Sequence, residues 1–169
     1  MLLLIAAVVA GDQLVKYWAI HSLAPVRSID FIRFGDLEVL DLTYLENTGA
    51  IFGSMSGQRW FLIGFTSLVI AAGLVIMFIT MKRSKLLTAI ILLFLSGGIG
   101  NLIDRIRQGY VVDMFEVKLF NFAIFNVADI YVTVAVALLM IYVIFVEPKE
   151  SRRKKQEASV AVKEAEGNE

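Results

Sequence analysis

Two aspartates stand where an apolar chain has no evident use for charge. Asp113 lies in YVVDMF and Asp129 in FNVADIYV, and neither has a cation at a neighbouring position. A lone carboxyl half-removed from water resists ionisation. Two such groups brought together share one proton, because both cannot easily ionise at close range. One then takes a proton from a water while the other protonates a carbonyl oxygen. That is aspartyl-protease chemistry, and it needs no metal or cofactor. The residues leave a second reading open, in which each aspartate caps a helix or pairs with Arg105, Arg107 or Lys16.

Other polar residues interrupt apolar runs. Asp12 and Lys16 are four apart, on one helical face, and can pair. Gln13 beside them is placed to hydrogen-bond across helices. Asp104 and Arg105 are adjacent and so point in different directions. Asp104 with Gln108, or Arg105 with a distant acid, would be an ordinary stabilising contact. In LENTGAIFGS, Asn47 and Thr48 precede Gly49, which suits a turn. Asn47 is also placed to hydrogen-bond an extended substrate backbone. Gly97, Gly98 and Gly100 permit close helix packing. The chain has no cysteine and one histidine, His21, read as an interfacial residue. Thiolate catalysis, disulfides and multi-imidazole metal sites are thereby excluded. No P-loop is present.

The elements that must position these groups are membrane spans. The 169 residues are 58% hydrophobic, with a mean hydropathy of +0.74. The apolar residues fall in blocks of the length that crosses a bilayer, about 20 residues of helix. The expected spans are about 2–20, 60–81, 86–103 and 125–146. The first lacks a basic leader and three spans follow it, which argues against a cleaved signal peptide. Lys and Arg in KRSK (82–85) and RRKK (152–155) place both termini in the cytoplasm. Segments 21–59 and 104–124 then share the outer side. Segment 21–59 is too long for a plain link. It reads as a hairpin around Gly35-Asp36, a small β-rich element on the outer membrane surface. The expected fold is therefore an all-α membrane protein, four transmembrane helices with a β-rich outer-surface segment between helices 1 and 2. Residues 1–147 form the membrane domain. Residues 148–169 form a charged, disordered cytoplasmic tail, with RRKK near anionic lipid. Zero net charge gives no reason to expect a nucleic-acid partner.

Five blocks, DQLVK (12–16), ENTGAIFG (46–53), GGIGNLIDR (97–105), VVDMF (111–115) and FNVAD (125–129), together resemble the bacterial lipoprotein signal peptidases, signal peptidase II. They occur in the family's order over nearly the whole four-span core. The resemblance implies four transmembrane helices with cytoplasmic ends in the bacterial cytoplasmic (inner) membrane, and an active site near the outer face. It implies an aspartyl endopeptidase that removes the signal peptide from diacylglyceryl-modified prolipoproteins, cutting before the lipidated cysteine. By similarity the catalytic pair is Asp113 and Asp129. Asn47, Gly49, Gly100, Asn101, Asp104, Arg105, Asn126 and Ala128 fall on family positions. Asn47, Asn101, Arg105 and Asn126 are implied to orient substrate or support the site, and Asp12 with Lys16 to brace it. The implied partners are prolipoproteins, membrane lipid and the cyclic peptide antibiotic globomycin, with no cofactor and a monomeric state. The chain departs from the family at Ile51, often alanine, and at Met114, commonly aromatic. The rival readings are a small four-span transporter and a non-enzymatic membrane assembly factor.

Overall fold

The computed structural model describes residues 1–49, 54–82 and 84–148. Ile51, Arg83 of the KRSK link and the RRKK tail lie outside the described residues. Four helices are long and apolar enough to cross a membrane. They are α1 (Leu2–Trp18, continued by a π-helical turn Ala19–Leu23), α2 (Arg59–Thr80), α3 (Lys85–Arg107) and α4 (Val127–Ile141, continued by a π-helical turn Tyr142–Val146).

Helix α3 packs against each of the other three. It starts on Ser84, whose Oγ accepts the Leu87 N–H, while Thr88 Oγ1 donates back to the Ser84 carbonyl at 2.8 Å. The first of these bonds satisfies an orphan N–H of the first turn. One apolar cluster joins α1, α2 and α3 through Ile5, Val9, Met77, Leu92 and Leu95. A second joins α3 and α4 through Ile90, Ala135 and Tyr142. The outward faces of α2 and α4 carry exposed Phe65, Leu68, Phe78, Met140 and Ile144, a surface suited to lipid rather than water. Small residues let the helices close. A Cβ on Gly97 would run into the Ala128 carbonyl oxygen and Val132, so α3 and α4 approach there only because Gly97 has none.

Strands β1 (Ser28–Phe34) and β2 (Leu37–Asn47) form the hairpin expected around Gly35-Asp36, with Phe34 opposite Leu37. Gly35 has φ +61°, the left-handed value that such two-residue turns demand. The sheet has a third, antiparallel member, β3 (Val111–Val117), beside β2 in the order β1-β2-β3. It comes from the segment between α3 and α4. Its run of β-branched and aromatic residues after Gly109, at φ +90°, is a strand signal in segment 104–124, beyond the hairpin expected in segment 21–59.

Span boundaries shift in one consequential place. Helix α3 runs to Arg107, so Asp104 and Arg105 sit in its last turns and not past its end. The side chain of Asp104 does not pair with Gln108, which meets only its backbone carbonyl. The sheet packs on the π-helical end of α1 and on α3. Beneath it, Ala19, Leu23, Leu42, Tyr44, Val112 and Met114 form a buried cluster.

Candidate active site

Asp113 is the third residue of β3, 1% exposed. Alternation along a strand sends Asp113 and Met114 to opposite faces. Met114 enters the cluster beneath the sheet, while Asp113 lines a cavity of about 450 Å³. The departure from the family at Met114 therefore lies in packing and away from the cavity.

Asp129 reaches the same cavity from α4. Asn126 is the N-cap of that helix, and the two make a reciprocal box. Asn126 Oδ1 accepts the Asp129 N–H at 3.0 Å, and Asp129 Oδ2 accepts the Asn126 N–H at 3.1 Å. This arrangement satisfies two orphan donors of the helix start. The helix-cap reading of Asp129 is thus correct for one of its oxygens. The other, Oδ1, accepts from Asn101 Nδ2 at 2.8 Å.

Amides connect the two carboxyls. Asn126 Nδ2 donates to Asp113 Oδ1 at 2.6 Å, and Asn47 Nδ2 donates to Asp113 Oδ2 at 2.8 Å. Asn47 Oδ1 accepts the Gly49 N–H at 3.0 Å, so the turn role and the site role of Asn47 coexist. Asn47 rests on Asp113 itself, as support for the carboxyl. Burial pushes the Asp113 carboxyl up to about 6, and the Asp129 charge adds to the rise, against the lowering effect of the Asn47 and Asn126 donors and of the Lys16 charge.

Asp12 and Asp104 are ion-paired instead. Lys16 Nζ lies 3.0 Å from Asp12 Oδ2 and 2.9 Å from Asp104 Oδ2, with all three side chains buried. Asp12 Oδ1 also accepts the Ala128 N–H at 2.9 Å, and Gln13 Nε2 donates to Asp104 Oδ1 at 2.9 Å. Gly100 leaves room for Asp12, since a Cβ there would strike its carboxylate. Asp12 and Lys16 pair as the spacing predicts, and Asp104 joins them. This leaves Asp113 and Asp129 as the carboxyls that line the cavity. Arg105 also lines it. Its Nη2 donates to the Gly49 carbonyl at 2.8 Å, and its buried Nε has no hydrogen-bond partner among the described residues. His21 is exposed and its ring lies tilted against Tyr17, with centroids 4.0 Å apart, and it does not line the cavity.

Two contributors escaped sequence reasoning. Arg59 donates to the Arg105 and Ile106 carbonyls, both at 2.9 Å, which closes the C-terminal end of α3 with a cation. Residues Phe122 to Phe125 form a wall of the cavity, and Phe125 is held against β3 by backbone hydrogen bonds to Met114 and Phe115. Nothing in the local sequence around either announces the contact.

The comparisons agree on one family. The family model described as signal peptidase (SPase) II matches residues 4–145. A lipoprotein signal peptidase of Streptococcus thermophilus (strain CNRZ 1066) is 42% identical over 137 residues, covering 81% of this chain and 87% of that protein. One from Clostridioides difficile (strain 630) is 37% identical over 149 residues, covering 88% of this chain and 97% of that protein. A solved bacterial membrane enzyme is 29% identical with a TM-score of 0.74, covering 84% of this chain and 85% of that one. The fold is thus that of a multi-pass membrane enzyme. The chain belongs to the signal peptidase II family and is a peptidase, which sets aside the transporter and assembly-factor readings.

Proposed function

We propose that this peptidase removes the signal peptide from diacylglyceryl-modified prolipoproteins, and that Asp113 and Asp129 catalyse the cut before the lipidated cysteine. The observation that carries the reading is the contrast among Asp12, Asp104, Asp113 and Asp129. Asp12 and Asp104 share the ammonium of Lys16, while Asp113 and Asp129 line one cavity and are held by amides. Amides orient a carboxyl without supplying a counter-charge, so the pair keeps its capacity to hold and release a proton.

In this mechanism the substrate enters sideways from the bilayer with its acyl chains in lipid. The signal peptide lies extended near the outer surface, covered by the β1-β2 hairpin. Asp129 takes a proton from a water as that water attacks the carbonyl before the modified cysteine. Asp113, the carboxyl pushed upward by burial, gives a proton to the carbonyl oxygen. The tetrahedral intermediate then collapses, the C–N bond breaks, and the leaving amine receives a proton from the pair. Arg105 lines the same cavity, where its guanidinium is placed to donate to the peptide backbone. Both termini lie in the cytoplasm and the cavity opens near the outer face.

A gel-shift assay on a diacylglyceryl-modified prolipoprotein tests this directly. Wild type in detergent is expected to cleave, and Asp113→Asn and Asp129→Asn to leave substrate intact while remaining folded. Turnover by either variant at the wild-type rate would remove that aspartate from the mechanism.

A further inference from the structure

Lys16 contacts more than its two carboxylates. Its Nζ also lies 2.9 Å from Asn101 Oδ1, so its three N–H groups meet Asp12, Asp104 and Asn101. An ammonium donates and never accepts. The Asn101 atom that faces it must therefore be the oxygen, and the NH2 group is turned the other way, onto Asp129 Oδ1 at 2.8 Å.

We propose that Lys16 is a positioning residue for catalysis, locking the Asn101 side-chain amide with its NH2 group on Asp129. This rests on the assignment of Asp129 to the catalytic pair. A flipped Asn101 amide would press NH2 against the Lys16 ammonium and its oxygen against the Asp129 carboxylate. Both contacts would be repulsive. Asn126 Nδ2 also reaches Asn101 Oδ1, at 3.2 Å, but its shorter bond, 2.6 Å, goes to Asp113. A hydrogen bond from a charged donor is roughly twice as strong as a neutral one. Lys16, closer and charged, thus supplies the larger part of the orientation. Asn101 then transmits it to Asp129, and Asn126, whose own amide is fixed by the cap on α4, connects the same oxygen to Asp113. One buried lysine on α1 so sets the direction of the donor that holds a catalytic carboxyl on α4, with no contact of its own to the cavity.

The test is a double-mutant cycle on the purified peptidase in detergent, with kcat and KM measured for Lys16→Gln, Asn101→Ala and the double variant. Lys16→Gln is expected to lower kcat by roughly tenfold or more with KM within about twofold of wild type. In the Asn101→Ala background the same change is expected to lower kcat by less than about twofold, because its route to Asp129 is already cut. Equal fold-losses in both backgrounds, or a loss expressed in KM, would overturn the proposal and leave Lys16 a scaffold residue. Lys16→Gln leaves Asp12 and Asp104 buried without a cation. If it fails to fold, the cycle is run with Asp104→Asn present throughout, which removes the surplus charge, and the same two outcomes decide. If Asn101→Ala leaves kcat at the wild-type value, the Asn101 relay is wrong. Loss of activity in Asp129→Asn, measured beside it, shows whether the catalytic assignment still stands.

Discussion

Asp129 accepts the Asn126 backbone N–H through one oxygen and the Asn101 amide through the other, so helix start and cavity wall share a side chain. Asn126 has the same double duty. Its Oδ1 caps α4 and its Nδ2 holds Asp113. Asn126→Ala should lose about 1 kcal/mol for the cap and also leave Asp113 with one donor fewer. Thermal unfolding and kcat should therefore fall together in that variant. Asp113 permits a pH prediction. Its carboxyl is raised from 3.8 to about 6 in the folded protein, which therefore holds that proton more tightly than the unfolded chain. Sign follows from linkage: the folded state binds more protons between these values, so stability from this group is lost as pH rises through them and stays lost above. The melting temperature of wild type relative to Asp113→Asn should thus drop as pH rises from about 4 to about 7. A pH-independent difference between the two proteins would show that this carboxyl does not titrate there.

At the level of elements, the α3-α4 seam decides whether Asn101 and Asp129 can meet. Gly97 sits under the Ala128 carbonyl and Val132, whereas Gly98 faces Ile70 with room for a methyl at 3.5 Å. Gly97→Ala should force the helices apart and destabilise by about 1–3 kcal/mol, the usual cost of overpacking. Gly98→Ala should unfold near the wild-type temperature. Comparable losses in the two variants would mean that the seam is not the tight contact. The sheet is the second positioning element. Pairing of Leu45 with Asp113 and Asn47 with Val111 across β2 and β3 brings the Asn47 amide to the Asp113 carboxyl, a juxtaposition that depends on strand register.

For the whole molecule, the π-helical end of α1 and α3 meet the sheet at one end of the bundle, and the cavity lies beside β3 and the start of α4. The absence of cysteine makes orientation easy to check. Asp36→Cys, in the hairpin turn, should react with a membrane-impermeant maleimide on intact cells. Lys82→Cys, between α2 and α3, should react only after the membrane is opened. The reverse pattern would invert the proposed topology. Globomycin, the inhibitor that the family resemblance implies, should raise the melting temperature of the wild-type protein, and an unchanged value would argue against it as a ligand.

Much of this protein was legible in its residues. Long uncharged blocks demand helices in lipid, because only internal hydrogen bonds satisfy the backbone there. The hairpin followed from Gly35-Asp36 between two strand-like runs. The five blocks identified the family, and the spacing of Asp12 and Lys16 predicted their ion pair. The tertiary structure decided what spacing cannot carry. It added β3 to the sheet, because strand pairing is a contact between distant segments. It moved Asp104 from the outer loop into the Lys16 pair, since that contact joins α1 to α3 across 88 positions of chain. It also showed Asp129 capping α4 through one oxygen while the other meets Asn101 at the cavity. A carboxyl has two oxygens, and only their partners in space, Asn126 and Asn101, show how each is used.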